Sequence, residues 1–371
     1  MKNYKQLFLS NDQYLIDSET DFKKRIPEII KLINQYASID FDWSKPEETN
    51  NLTEDQLVNI QKIVAHDVQA NLVTMFSPYI DPHLKRLFGD QLEYKIRVSA
   101  QVKGRWSRKV GLEPRKGGYV NGAFVEDKEN PDMPSLSFPT RAHQDLDNNG
   151  NRGSHTMIFY FQLTEALPHS SVLQFGEFPE KIGMFPFSTE WGYPNEILHS
   201  TQKQINWHNG DLKPGNVVLM TGINPHRSGL IGEMPRIALN VKIQPSNLAY
   251  LENIYGVSLS VLTKGHTITE KLNILKDILI DLSQKHRQLL YELAVTYFLL
   301  GEMQKSKEAL KGLCLFDIDD NLLERWTVAS ILKKVMDKVT EEELLKSVNA
   351  LENVVPLSCG DAIMKTIDIH S

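Results

Sequence analysis

The feature that most constrains the fold is a strand-like alternation of residues in the second half of the chain, with large apolar side chains at every second position. Every second position from 237 to 243 is apolar, and the four residues are Ile237, Leu239, Val241 and Ile243. The positions on the other side are Arg236, Ala238, Asn240 and Lys242. Because successive side chains of a β-strand point to opposite faces, this pattern predicts a strand with one face in a hydrophobic core. Arg236 lies on the other face and can point into a pocket.

More strands are predicted upstream. Residues 94–101 show the same alternation, and residues 156–163 read as an apolar strand. Residues 171–220 add several short candidate strands separated by Pro and Gly. Many short strands with turns between them favour a jelly roll, in which two β layers enclose a ligand. An α/β hydrolase would need strands that alternate with helices, and that pattern is missing.

Helical patterns flank these strands. The first 90 residues have apolar side chains at helical spacing, and Thr53 with Gln56 three residues later predicts a helix N-terminus. Helical periodicity returns from about Ile268. We therefore predict an α+β chain in three parts. They are a helical part that packs on the core (1–90), a double-stranded β-helix, jelly-roll or cupin-like core (91–246) and a helical region (247–371).

Three residues of the predicted core form a candidate metal site. His143 and Asp145 are two positions apart, so on a strand both project from one face. His226 follows another strand-like run, and chain folding could bring it beside the first pair. Two His and one carboxylate form a facial triad, the ligand set of non-haem Fe(II) oxygenases.

An arginine and a strand-like run complete the pattern. Arg236 lies ten residues after His226, and the run Lys-Pro-Gly-Asn-Val-Val-Leu-Met occupies positions 213–220. In this order the features resemble the Fe(II)/2-oxoglutarate-dependent oxygenases, and in particular their phytanoyl-CoA dioxygenase-like branch. The resemblance covers roughly residues 90 to 245.

The resemblance implies a role for each residue. His143, Asp145 and His226 would be the catalytic metal ligands that hold Fe(II), and Arg236 would bind the distal carboxylate of the co-substrate 2-oxoglutarate. Molecular oxygen would be consumed, and an unactivated C–H bond of a small molecule would be hydroxylated. Halogenating relatives carry a small residue where this chain has Asp145, so the carboxylate argues against halogenation.

Composition limits the partners. The chain of 371 residues is 41% hydrophobic, and its formal net charge is −6. This charge gives no reason to expect nucleic acid or an anionic membrane as partner. Cys314 and Cys359 cannot build a disulfide framework, and no apolar run approaches about 18 residues. We expect a soluble, cytoplasmic protein with a small-molecule substrate.

Several features leave alternatives open. The irregular segment 103–139 and its neighbour Arg141 carry basic residues that suggest a polar or anionic metabolite, although a solvated loop explains them equally well. They are Lys103, Arg105, Arg108, Arg115, Lys116 and Arg141. Four further histidines lack a carboxylate two residues on and are predicted to be structural or to support the site. They are His155, His169, His199 and His208.

The C-terminal region and the reaction class also admit several interpretations. Residues 290–310 resemble one tetratricopeptide-type helical hairpin with Ser306 at its small position, and it could pack on the core or form a homodimer contact. A cupin-like isomerase or epimerase could share the β architecture and a metal without needing Arg236. A catalytically silent metabolite-binding protein is the third possibility.

Overall fold

The structure is a computed structural model. It describes residues 14–17, 21–42, 45, 52–90, 93–103, 117–120, 123–126, 142–145, 155–164, 173–177, 183–185, 187–188, 196–197, 199–210, 212–228, 236–263, 265–314, 363 and 366–367. The strands are β1 (Tyr14–Asp17), β2 (Tyr94–Lys103), β3 (Gly117–Val120), β4 (Ala123–Glu126), β5 (Met157–Gln162), β6 (Leu173–Glu177), β7 (Phe187–Ser188), β8 (Glu196–Ile197), β9 (Asn206–Gly210), β10 (Val217–Thr221), β11 (His226–Ser228) and β12 (Arg236–Pro245). The α-helices are α1 (Ile26–Ala37), α2 (Glu54–Ala65), α3 (Gln69–Phe88), α4 (His199–Gln202), α5 (Ala249–Tyr255), α6 (Ile268–Lys285), α7 (Leu290–Leu299) and α8 (Met303–Leu313), and 3-10 helices span Asp21–Arg25 and Arg287–Leu289.

Two antiparallel sheets carry the candidate site. The larger sheet has five strands in the order β1-β10-β5-β12-β2, and the smaller has three in the order β11-β6-β9. In the larger sheet Arg236 lies opposite Lys103, and Lys242 lies opposite Arg97. The predicted α+β chain is confirmed at the level of helices combined with antiparallel strands.

The central strand β5 is covered on both faces, and all six of its residues are buried. Phe159 and Phe161 belong to a large hydrophobic cluster that includes the N-terminal helices. Ile158 and Tyr160 point the other way, into a second cluster with Phe175 of the smaller sheet. This double burial explains why the sequence of β5 is a continuous apolar run instead of an alternating one.

The N-terminal segment confirms one prediction and corrects another. Thr53 caps α2 with Gln56, since the Gln56 amide donates to Thr53 Oγ1 (3.3 Å) and the Thr53 amide to Gln56 Oε1 (2.8 Å). The first 90 residues are not helical throughout, however, because Tyr14–Asp17 forms β1 and pairs with β10. A strand of four residues is too short to show a period, and its backbone bonds to β10 hold it in place.

The C-terminal helices pack closely at Ser306. Its Oγ donates to the carbonyl of Ala294 at 2.7 Å, and the side chain is fully buried. The small residue therefore lets α8 approach α7. Among the described residues, no helix is both long and apolar enough to cross a membrane.

A buried polar network joins these helices to the start of β5. His155 Nδ1 lies 3.0 Å from Glu292 Oε1, and His155 Nε2 lies 2.6 Å from the Tyr255 hydroxyl. Burial raises the pKa of Tyr255 well above its ordinary value, so the neutral hydroxyl can donate to Nε2 while Nδ1 donates to Glu292. Of the two roles predicted for His155, structural or supporting the site, the structure shows a structural one, because His155 joins the C-terminal helices to the sheet.

We expect Phe161→Ala to destabilise the fold strongly. The Phe161 ring stacks on Phe76 with centroids 4.5 Å apart and lies 4.5 Å from the Phe22 ring, so truncation leaves a cavity between sheet and helices. The free energy of unfolding should fall by about 3–5 kcal/mol in urea denaturation. Tyr36→Ala is the control, since Tyr36 is 49% exposed and its loss should change stability by no more than about 0.5 kcal/mol. Equal losses in the two variants would contradict this description of the core.

Candidate metal centre

The two histidines of the predicted triad are joined through their backbones. The His143 amide donates to the His226 carbonyl at 3.1 Å, and the His226 amide donates to the His143 carbonyl at 3.0 Å. This isolated antiparallel bridge sets the two side chains next to each other, with ring centroids 4.2 Å apart. Two residues that are distant in sequence thereby present their imidazoles to one point.

Asp145 completes a compact ligand set. Its Oδ1 lies 3.8 Å from His143 Nε2, and its Oδ2 lies 4.0 Å from His226 Nε2. One ligand atom from each of the three residues can be chosen so that all lie within 4.8 Å of one another. All three residues are buried, and Asp145 is only 1% exposed. The spacing fits a single ion bound by two nitrogens and one oxygen.

The orientation of His226 is set by a backbone carbonyl. His226 Nδ1 lies 3.1 Å from the carbonyl oxygen of Asn224, which can only accept, so Nδ1 carries the proton. In the neutral ring the lone pair is then on Nε2, which lies 4.0 Å from Asp145 Oδ2. Histidine ligands in proteins are commonly fixed by such a bond from their other ring nitrogen.

Lys242 also belongs to the candidate site, although the sequence predicted only its position on a strand face and no role for it. Its Nζ lies 2.8 Å from Asp145 Oδ2 and 2.9 Å from Asp145 Oδ1. A buried carboxylate loses its hydration, and the ammonium group offsets that cost. The signal was present in the sequence, because Lys242 shares the polar face of its strand with Arg236.

The guanidinium of Arg236 is a buried cation close to an aromatic ring. It is 1% exposed, and its guanidinium carbon lies 5.5 Å from the centroid of the Tyr160 ring. Its Nε and Nη1 atoms have no hydrogen-bond partner among the residues that the structure describes. Burial lowers the pKa of the guanidinium, but such a group still remains charged at neutral pH. Arg236 is therefore suited to bind an anion that enters the space between the sheets.

A tight turn directs the strand that precedes His226. Gly215 has a φ of 91°, and a Cβ at this position would lie 2.7 Å from Lys23 Cβ, so only glycine fits without strain. Asn216 closes the turn, because its Oδ1 accepts from the Lys213 amide at 2.6 Å. The run that carried the sequence resemblance is thus a turn followed by β10, which leads to the loop before His226.

Several predicted contributors lie outside the described residues. They include Arg105, Arg108, Arg115, Lys116 and Arg141, the side chain of Lys103, His169 and the side chain of His199. His208 is described, and its Nε2 lies 3.1 Å from the exposed carboxylate of Glu177.

Comparisons with known proteins give only distant structural likenesses. No family model matches the sequence, and no curated protein matches it. The structure is similar to EvdO2 from Micromonospora carbonacea var. aurantiaca, solved with 2-oxoglutarate, at 12% identity and a TM-score of 0.35, over 66% of this chain and 91% of that chain. It is also similar to SnoN, a non-heme alpha-ketoglutarate-dependent epimerase from nogalamycin biosynthesis, at 10% identity and a TM-score of 0.34, over 66% of this chain and 83% of that chain.

A third likeness is to ThoJ, a non-heme monooxygenase in its apo form. The identity is 15% and the TM-score 0.30, over 46% of this chain and 52% of ThoJ, so this chain spans about half of that protein. Because all three TM-scores lie below 0.5, we base the function on this chain's own residues.

We expect Asp145→Ala to weaken metal binding by more than about 100-fold, beyond the 10–100-fold typical of residues that only support a ligand. The change removes the one anionic member of the triad. Isothermal titration with Mn(II), a redox-inert stand-in for Fe(II), measures the affinity. Glu177→Ala is the matched control, since it also removes a carboxylate beside a histidine but at an exposed position. Unchanged Mn(II) affinity in Asp145→Ala would contradict the ligand assignment.

Proposed function

We propose that this protein is an Fe(II)- and 2-oxoglutarate-dependent oxygenase that hydroxylates a polar or anionic small molecule. The observation that carries the proposal is the buried guanidinium of Arg236, two of whose nitrogen atoms have no hydrogen-bond partner among the described residues, in a core that also holds a triad of two histidines and a carboxylate. A metal site alone would fit many enzymes. A metal site together with a buried anion-binding cation fits an enzyme that must hold a dicarboxylate beside its metal.

The ligand set suits Fe(II). His143 and His226 would bind through neutral imidazole nitrogens and Asp145 through a carboxylate oxygen, which leaves three coordination positions for other ligands. With both bound, Fe(II) and 2-oxoglutarate supply the oxidising power that acts on a C–H bond with molecular oxygen. The protein's own part is to bury the ligands, to pair Asp145 with Lys242, and to fix the His226 ring through Asn224.

Arg236 would receive the distal carboxylate of 2-oxoglutarate. A planar guanidinium can offer two parallel N–H donors to a carboxylate, and such charge-assisted pairs are stronger than neutral hydrogen bonds. The buried position matters because the desolvated cation then interacts strongly with the anion that neutralises it. A cupin-like isomerase or epimerase would have no need of this residue as a carboxylate anchor.

The neighbouring cations support a polar or anionic substrate. Lys242 and Arg97 are cross-strand partners on β12 and β2, and like charges at such positions destabilise a sheet. Asp145 offsets one of these charges through its contact with Lys242. The exposed Arg97 side chain lies beside this pair and could meet an anionic group of the substrate.

The wider assignments belong to the same proposal. The two antiparallel sheets would be the layers of a jelly roll, and the nearest family would be the phytanoyl-CoA dioxygenase-like branch. The division at residues 90 and 246, the single tetratricopeptide-like hairpin, a homodimer through the C-terminal helices and a cytoplasmic location also stay predictions.

Turnover tests the reaction class directly. Aerobic incubation with Fe(II), 2-oxoglutarate and a library of polar metabolites should form succinate and one product heavier by one oxygen atom, measured by mass spectrometry. Asp145→Ala should form neither. If wild-type protein binds the metal but never consumes 2-oxoglutarate with any metabolite, the oxygenase proposal is wrong. A product with the mass of its substrate and no succinate would favour an isomerase.

Arg236→Ala should weaken 2-oxoglutarate binding and leave metal affinity nearly unchanged. Truncating one partner of a buried charge pair costs about 2–5 kcal/mol, and Arg236→Lys should recover part of that because it keeps the charge but loses the planar fork. Anaerobic titration of 2-oxoglutarate into the Fe(II)-loaded variants, followed by the metal-to-ligand absorption band, gives the 2-oxoglutarate affinity. Isothermal titration of each variant with Mn(II) gives the metal affinity.

Arg227→Ala is the matched control for Arg236→Ala. Arg227 is also buried, but its Nε donates to Gln174 Oε1 at 2.7 Å and its guanidinium covers the Trp207 ring at 4.0 Å, so its groups already have partners in the protein. The Arg227→Ala variant should therefore bind 2-oxoglutarate with nearly the affinity of the wild-type protein. Full 2-oxoglutarate affinity in Arg236→Ala would remove the residue from the site.

A further inference from the structure

One buried side chain between two of the proposed ligands is bonded through its whole amide group. Gln144 lies between His143 and Asp145 and is 5% exposed. Its Nε2 donates to the carbonyls of Gly183 at 2.8 Å and Ile223 at 2.6 Å. Its Oε1 accepts from the amide of Phe185 at 2.7 Å. The amide therefore connects the segment of His143 and Asp145 to two other segments of backbone.

The bond to Ile223 reaches the third proposed ligand. Ile223 lies in the turn between β10 and β11, where the Asn224 amide donates to the Thr221 carbonyl at 3.0 Å. The carbonyl of Asn224 in the same turn orients the His226 ring at Nδ1. Gln144 thus holds the turn that aims His226, in addition to the backbone bridge between the two histidines.

The bonds to Gly183 and Phe185 lead to the C-terminal helices. Between these two residues, the Met184 amide donates to the Leu313 carbonyl at 3.0 Å, and Met184 pairs in parallel with Cys314. Leu313 is the last residue of α8, which packs on α7. The guanidinium of Arg287 also donates to the Cys314 carbonyl and fixes the end of α8.

We propose that Gln144 is a positioning residue that couples the geometry of the metal centre to the C-terminal helices through residues 183–185. It touches no reacting atom and acts by holding the two ligand segments in register with a third segment that α8 supports. The inference rests on the metal site of the proposed function and is independent of the co-substrate and the substrate. It gives the C-terminal helices a role at the site in addition to their packing.

Geometry distinguishes this role from ordinary packing. A side chain that only fills space can be replaced by an apolar one of similar shape at little cost to its surroundings. Loss of the Gln144 amide would instead leave two carbonyls and one amide of the site's own backbone without this partner in a buried place. The turn of Ile223 and the segment at Phe185 would then shift to find new partners, and the ligands would follow.

Gln144→Met tests the proposal, with Gln288→Met as the matched control. Both replace a buried glutamine, but the amide of Gln288 donates to the Tyr255 hydroxyl in the C-terminal helices. Isothermal titration of each full-length variant with Mn(II) should show affinity reduced about 10–100-fold in Gln144→Met and unchanged in Gln288→Met. Both variants should lose some thermal stability, so stability alone does not separate them.

Two further measurements complete the test. A purely structural role of Gln144 would leave both of them unchanged. At saturating Co(II), the visible absorption spectrum should differ from wild type in Gln144→Met only. In hydrogen exchange, Mn(II) should slow the amides of residues 183–185 and 310–314 in wild type and in Gln288→Met, but not in Gln144→Met. If Gln144→Met fails to fold, Gln144→Glu serves instead, since it keeps the shape and the acceptor for Phe185 but cannot donate to the two carbonyls when ionised.

The outcomes separate the two proposals. Absence of Mn(II) binding in wild-type protein would overturn the proposed metal site and this inference with it. Binding in wild type with equal affinity, spectrum and exchange response in the Gln144 variant would overturn the inference alone. A metal-dependent response in Gln144→Met at residues 310–314 would likewise show that the coupling does not pass through this side chain.

Discussion

The candidate site depends on the pair of backbone hydrogen bonds between His143 and His226. Side-chain contacts alone would not fix the distance between these two segments, whereas two reciprocal backbone hydrogen bonds fix both residues at once. Two other parts of the candidate site adjoin this bridge in the sequence. Asp145 follows two residues after one end, and the turn that orients the His226 ring precedes the other end.

The two buried charges of the candidate site, on Asp145 and on Arg236, are compensated differently. Asp145 is almost fully buried, and Lys242 lies within hydrogen-bond distance of both of its oxygens. Arg236, farther along the same strand face, has two nitrogen atoms without a partner among the described residues. One buried charge is thus compensated by the protein, and the other is suited to an anion brought from outside. This asymmetry distinguishes a ligand site from a structural ion-pair network.

The helices give the sheet rigidity on the side away from the site. The odd-numbered residues of β5 pack against N-terminal helices, and its even-numbered residues face the smaller sheet. The C-terminal helices reach the core through the buried network of His155 and Glu292, and again where Met184 pairs with Cys314. The second contact connects them, through Gln144, to the segment of the proposed ligands. The C-terminal helices, which the sequence places outside the predicted core, therefore help to support the candidate site.

The sequence by itself determined, through the spacing of apolar residues, which long segments are strands and which are helices. The alternation from Arg236 to Ile243 predicted β12, and Thr53 with Gln56 predicted the start of α2. The spacing of His143 and Asp145 predicted a strand, whereas the structure has only an isolated bridge at His143 there. These signals are local, because a strand or a helix cap is specified by neighbours within a few residues. β1 lacked such a signal, since four residues are too few to show a period and its place depends on pairing with β10. The contacts of Lys242 with Asp145, and of Gln144 with Gly183 and Ile223, join residues far apart in the chain. Only the tertiary structure decided them, because the cost of burying a charge or an amide is resolved by whichever distant partner the fold brings within reach.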